Sequence, residues 1–397
     1  MPVLRNLITA CTLWTLAAGI AAADCIDIGK DCIAPDATEL TLRLGDGVDD
    51  LSLLPQFTAL ETLNIQTSLR FDKPVDLAPL ASQPGLARLT IGDAIVPDLS
   101  PIETLPKLRS LSLFRPQTND LAPVSRMTGL TQLTIGGIKT LDHAPVKNLV
   151  NLESLQLIDM PLADTGPLTG LTQIKTLILF NTDVTDLSPV ANMPQLEFLW
   201  ISNAPVTDLS PLAGNTTLKH LRMDGTRVTS LAGLEDAAAL EMLIAKRAPV
   251  ADIAALAHKP LLRELDLTAT SVSDLTPLAD AVSLYDLVLN ETRITDISPL
   301  AGLPKLTKLN FKLTPVSDTS ALAGMTQLRE LSLPQQPMDL SYLPKLRNLT
   351  VLRAPDLPEV DLSPVLKLKN LTLFFPGTAL APLTKREEIE AFVKARN

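Results

Sequence analysis

An aspartate stands at positions 76, 98, 120, 142, 164, 186, 208, 252, 274, 296 and 318, and Ser230 alone interrupts this 22-residue register. If successive copies stack at strand spacing, the carboxylates lie about 5 Å apart, and each neighbouring pair repels by roughly 1 kcal/mol in water or ~3 kcal/mol at an effective dielectric of 20. Something must offset that. A column of Ca²⁺ ions would do so, but Ca²⁺ takes several oxygens and each copy offers one carboxylate. The alternative is that each Asp accepts from the backbone N–H groups of the turn it opens, a charged hydrogen bond worth about 1.5–3 kcal/mol. The expectation is turn capping, with no metal.

Other reactive side chains are few. The histidines are His143, His220 and His258, and the register places only His220 on a strand face, with the other two in turns. His220 and Asp224 suggest part of a catalytic set, but no nucleophile with an oxyanion site accompanies them. No glycine-rich phosphate loop and no His/Cys cluster at metal spacing occurs. The sequence is read as a non-enzyme without a cofactor.

The elements that position these residues come from one repeated unit. The first apolar residue of an L-x-x-L-x-L pattern falls at Leu86, Leu108, Leu130, Leu152, Ile174, Leu196, Leu218, Leu240, Leu262, Leu284, Leu306 and Leu328, every step being 22. Less regular copies start near Ala37, Leu60, Leu346 and Leu368, so about sixteen units occupy 37–375. Within a unit, Leu196, Leu199 and Ile201 give the period-two signal of a short strand, and Val206, Leu209 and Leu212 point inward from the return path. A single unit cannot cover its own apolar face, so neighbours must stack. Ser188-Pro189, Ser210-Pro211, Thr276-Pro277 and Ser298-Pro299 read as a capping hydroxyl before a helical turn on the outer side. The fold class that follows is an α/β solenoid with a parallel β-sheet on its concave side and short 3-10 or helical turns on its convex side.

The 397 residues are 46% hydrophobic and 3% aromatic with 32 prolines, which suits aliphatic layers broken by turns. Residues 1–23 read as a signal peptide: Arg5, an apolar run from Leu7 to Ile20, then Ala21-Ala22-Ala23 before Asp24. A lipoprotein box at Ile8-Thr9-Ala10-Cys11 is the rival reading of that segment. No second apolar run reaches the ~20 residues of a membrane span, so a soluble periplasmic or secreted protein is expected. Removing Cys11 leaves Cys25 and Cys32, an even pair read as a disulfide within an N-terminal cap over 24–36. The formal charge is −10, which argues against nucleic-acid and anionic-membrane partners. The C-terminal segment 376–397 reads as a helical cap: "TKREEIEAFVKARN" has a candidate cap at Thr384, and Ile389, Phe392 and Val393 share one helical face. A helix that docks a partner is the alternative.

Between core leucines, the outward strand residues are mostly small or polar, as at Thr90, Gly92, Ser110, Ser112, Thr134 and Gly136. The middle differs. Phe114, Ile158, Ile178, Phe180, Phe198, Trp200, Met242 and Ile244 occupy outward positions, with His220 and Arg222 among them. A contiguous exposed aromatic cluster marks a contact site, so these ten residues form the expected protein-binding surface. A binder of envelope glycan, with Trp200 and Phe198 as stacking platforms beside Glu264 and Asp266, is the alternative. Charged residues flank the cluster: Asp224, Lys246, Glu264, Asp266, Asp286, Lys308 and Lys312 either orient a partner or form cross-strand ion pairs. Four extra residues in "QTSLRFDKPVD" are expected to form a surface loop rather than a lip over the groove.

The run "LTKLNFKLTPVSDTSALAGMTQL" and its siblings resemble bacterial leucine-rich repeats, close in length and in the D-[LI]-[ST]-P-L segment to the 22-residue repeats of internalins. The resemblance covers about 340 residues. It implies a curved solenoid, a parallel sheet on the inner side and a role in binding proteins. It departs at the ninth repeat position, where the family's stacked Asn is replaced by Thr182, Ala204, Thr226, Ala248, Thr270, Thr292 and Thr314. A weaker inter-coil ladder is therefore expected. The appended modules and wall-sorting signal of internalins are missing too, so adhesion to a host is not implied.

Overall fold

The computed structural model describes residues 25–29, 31–68, 71–118, 120–138, 144–354, 359–377 and 380–396. The signal-peptide reading, Cys11, Asp142 and His143 fall outside them. Sixteen strands, from Glu39–Leu44 to Leu373–Phe375, form one parallel sheet in strict chain order. The register follows the sequence period: Thr176, Phe198, His220, Met242, Glu264, Asp286, Lys308 and Glu330 stand side by side on successive strands. The alternate residues Leu177, Leu199, Leu221, Leu243, Leu265, Leu287, Leu309 and Leu331 are all buried. Each such side chain contributes about 1.5–3 kcal/mol on leaving water, and only the next coil provides the cover.

The outer side is built of short 3-10 helices such as Ser188–Asn192, Ser210–Leu212 and Ser298–Leu300. The Ser hydroxyl does not cap them, contrary to the sequence reading. Asp186, Asp208 and Asp296 do: Oδ1 accepts from the N–H of the residue two positions on at 2.7–2.8 Å, and that residue's Oγ donates back to Oδ2. The serine is the first helical residue, so its N–H is an orphan donor and the upstream carboxylate is the better acceptor. Asp50, Asp339 and Asp361 extend the device into the irregular copies. In the Ser copies both carboxylate oxygens are thus engaged inside their own turn, which offsets the repulsion along the column.

In Asp98, Asp208, Asp274, Asp318, Asp339 and Asp361 such bonds hold the carboxyl below its ordinary range. In Asp98, Asp318 and Asp361 the backbone N–H contributes most and the hydroxyl second; in Asp208, Asp274 and Asp339 the order is reversed. A carboxyl depressed in the folded state adds stability that is complete above its unfolded value, about 3.9, and is lost as pH falls through the depressed value. Thermal midpoints measured by circular dichroism should therefore be level from pH 7 to 5 and drop steeply below pH 4. An unchanged midpoint at pH 2.5 would contradict the capping role.

The ninth position does not form a ladder between coils. Thr182, Thr226, Thr270, Thr292 and Thr314 are buried, and each Oγ1 donates to the carbonyl three residues back in its own coil, at 2.7–3.0 Å. A second 22-residue register escaped the sequence reading: Asp93, Arg115, Asp159, Asn181, Asn203, Arg247, Ala269, Glu291 and Leu313 all have φ between 46° and 61°. This left-handed corner follows the strand in each of these coils. It costs a non-glycine residue about 1–2 kcal/mol, and Leu313 adopts it with an exposed side chain. Leu313→Gly should raise stability by about 0.5–1 kcal/mol in urea unfolding, the larger entropy of the unfolded glycine cancelling part of the relief. A loss of stability would show that Leu313 packs productively.

At the N-terminal end, strands Ile26–Ile28 and Asp31–Ile33 form an antiparallel hairpin closed by the Cys25–Cys32 disulfide, with Cα atoms 5.5 Å apart. Ile26 and Ile28 are buried against the first coil. Phe71, in the four-residue insertion, also packs partly against the core. At the other end, Ile389 and Val393 of helix Arg386–Arg396 are buried, and Phe392 meets Phe374 edge-on with centroids 6.2 Å apart. The helix begins after Thr384: Lys385 accepts the first helical bond from Ile389, and its own N–H donates to the Glu388 carboxylate. Arg386 donates to the carbonyls of Leu366 and Leu368, which the last outer turn leaves open.

Candidate functional site: the inner face of the middle coils

Outward residues of the sheet fall into three rows, and the rows decide what touches. In one, Phe114, Gly136, Ile158 and Phe180 follow one another on successive coils. Phe114 is 38% exposed, and its ring lies where a Cβ on Gly136 would stand 3.4 Å from Cδ1. The missing side chain thus lets Phe114 lean toward Ile158. In the second row Ile178, Trp200, Arg222 and Ile244 are paired across strands, and in the third Phe198, His220 and Met242.

Trp200 is the centre. Phe180 approaches its ring at a centroid distance of 4.9 Å and 47°, and the Arg222 guanidinium stands 4.7 Å from its centroid. Because their strands flank that of Trp200, the two come from opposite sides. The stack fixes a rotamer-rich arginine by a cation–π contact worth about 0.5–2 kcal/mol. Beside it, Phe198 and His220 meet edge-on at 5.9 Å and 77°. Trp200 Nε1 and Arg222 Nε are enclosed with no hydrogen-bond partner among the described residues, a cost of about 1–3 kcal/mol for each donor.

Nine of the ten sequence-predicted residues are part-buried or exposed on this face; Ile178 is not. It is 8% exposed. It points outward in register, but it lies between Gln156 and Trp200 on the adjacent strands, and these longer side chains enclose it. It supports the patch from below. His220 and Asp224 do not meet as a catalytic pair: Asp224 Oδ2 accepts from Ser202 Oγ at 2.8 Å, while His220 faces Phe198.

The flanking charges form cross-strand ion pairs in part. Lys246 holds Asp266 at 3.0 Å and Lys308 holds Asp286 at 3.4 Å, while Tyr285 donates to Glu264. Burial is the main reason that the Asp286 carboxyl lies above its ordinary range. Along the neighbouring ridge, Lys175–Glu153, Lys219–Glu197 and Arg263–Glu241 repeat the same pairing. Arg222 instead is held by the Trp200 ring, with no ion pair among the described residues.

Comparisons with known proteins agree with the fold. A family model described as leucine-rich repeats in two copies matches residues 172–214, within the region of the cluster. No curated protein matches the sequence. Among solved structures, an internalin, InlF, from Listeria monocytogenes is 28% identical over 75% of this chain and 89% of its own, with a TM-score of 0.68. A leucine-rich repeat protein of Leptospira interrogans is 18% identical over 77% of this chain and 82% of its own, at 0.62. The functional domain of InlJ from Listeria monocytogenes is 20% identical over 81% and 75%, at 0.61; these last two share the fold. No helix among the described residues is long and apolar enough to cross a membrane. The chain is a leucine-rich repeat solenoid with repeats similar to those of internalins.

Proposed function

We propose that this is an exported protein-interaction module, periplasmic or secreted, that recognises a protein partner through the inner face of its middle coils. The observation that carries the reading is the pre-stacked Phe180–Trp200–Arg222 group, an aromatic and arginine anchor of the kind that dominates binding energy at interfaces, set in an apolar band from Phe114 to Ile244. Two donors left unpaired in the free protein add to it. Each stacked side chain is already ordered by its neighbour, so less conformational entropy is lost on binding. The solved relatives include a plant peptide hormone receptor bound to its peptide and the complex of Toll with Spatzle, which illustrate protein recognition on this fold.

A glycan platform fits less well. A sugar stacks on a free aromatic face, and Phe180 and Arg222 both lie against the Trp200 ring. Crosslinking pull-down from an envelope extract tests the reading, with the Trp200→Ala variant as control: partner capture should depend on Trp200, and equal capture by the variant would refute it.

A further inference from the structure

We infer that Lys312 and Arg353 form a clamp for one carboxylate, the Asp or Glu side chain of a protein segment lying along the inner face. The inference rests on the reading that this face binds a protein. Arg353 closes strand Val351–Arg353, and Lys312 follows strand Lys308–Asn310, two strands away on the same face. Among the described residues, Ser332, 1% exposed, and the buried Pro334 stand between them on the intervening coil, so two cations border an uncharged stretch. Arg353 is fixed, its guanidinium 4.6 Å from the centre of the Phe375 ring.

Among the described residues, neither side chain makes an ion pair or a side-chain hydrogen bond. Acids on the preceding strands are, among the described residues, engaged elsewhere: Asp266 with Lys246, Asp286 with Lys308, Glu264 with Tyr285. Glu330 stands at the far end of its strand, opposite Lys308. Burial first, and the guanidinium charge second, hold the Lys312 ammonium below its ordinary range. A part-buried cation facing a like charge is unfavourable unless an anion joins it. In a chain of net charge −10 such an uncompensated pair is unexpected on a merely solvated face. A carboxylate answers both groups, accepting a forked pair of bonds from the guanidinium and one from the ammonium.

Five strand spacings, roughly 24 Å, separate the Trp200 strand from the Lys312 strand, which about seven residues of extended chain would span. A partner anchored at Trp200 thus reaches the clamp with an acidic residue at that remove.

The test uses the intact protein with its lysines reductively ¹³C-dimethylated, which keeps the charge, and the Lys312 signal assigned through Lys312→Arg. In the free protein this signal should titrate at lower pH than those of exposed lysines. N-acetyl-hexaglutamate amide should shift it saturably, and Arg353→Gln should weaken that response at least tenfold. Three results would each overturn the clamp: a Lys312 signal unmoved by millimolar hexaglutamate, equal affinity in Arg353→Gln, or saturation by inorganic phosphate but not by the peptide. The readout is Lys312 itself, so its failure leaves the Trp200 patch standing, and loss of the patch leaves the clamp standing.

Discussion

Trp200→Ala should weaken binding of the inner-face partner at least thirtyfold, about 2 kcal/mol, and the double change with Phe180→Ala should reduce capture to background. The loss exceeds one ring's contact area because Trp200 also positions Arg222, 4.7 Å from its centroid. Removing the indole frees the guanidinium to sample rotamers that the partner would have to order again. Trp200→Phe should keep part of the affinity, since a smaller ring still stacks but carries a weaker quadrupole. The core under the site is separate: Leu199 and Ile201 are fully buried and untouched by the change, so far-ultraviolet circular dichroism and the melting temperature should match the parent. Biolayer interferometry on the captured partner checks the affinity. Full affinity in Trp200→Ala would remove the patch from the interface.

Gly233→Ala should destabilise the protein by about 3 kcal/mol or more and split its unfolding into two steps. Gly233 has φ of +104°, and a Cβ there would lie 2.2 Å from the Leu209 carbonyl oxygen. Both the backbone conformation and the contact with the preceding coil forbid a side chain. The site matters because its coil is already the exceptional one. Ser230 replaces the capping Asp, no 3-10 helix is described between Ser210–Leu212 and Ala254–Leu256, and Gly233 N–H donates to Glu235 Oε2 at 2.7 Å. In a stack whose stability is a sum of coils and nearest-neighbour interfaces, a fault here uncouples the coils on either side. Urea unfolding followed by hydrogen exchange should show the coils before residue 230 and those after 250 opening at different denaturant concentrations. One cooperative transition at the parent midpoint would contradict this.

The architecture was legible because one physical requirement repeats. A strand that buries alternate leucines and cannot cover them writes the same spacing in every copy, and the pairing of Phe198 with His220 and Met242 could be read by adding the period. Features that depend on what a side chain meets were hidden. Lys259 is 2% exposed in a register where most other coils place Leu, Met or Ala, and its Nζ reaches back to the Glu235 carbonyl at 2.6 Å. Gln83 does the same at the other end of the array, donating to the Leu54 carbonyl. Sequence pattern alone reads both as surface residues, although a polar residue in an apolar register was a usable signal. Ile178 shows the limit for the site: parity places it outward, but only its neighbours' lengths reveal that it is covered. The Ser-Pro pair does start a helical turn, but the cap lies two residues upstream: Asp accepts from the serine's own N–H, and the serine hydroxyl donates to that carboxylate instead of accepting.

The account's central claim is that the partner lies on the inner face. It is tested most directly by placing a photo-crosslinking p-benzoylphenylalanine at position 198, on the inner face, and in a parallel sample at position 192, in outer 3-10 helix Ser188–Asn192. Irradiation in the native envelope should yield a discrete adduct from position 198 that disappears with Trp200→Ala, and none from position 192. An adduct from position 192 alone, or one from position 198 that persists without Trp200, would contradict the account.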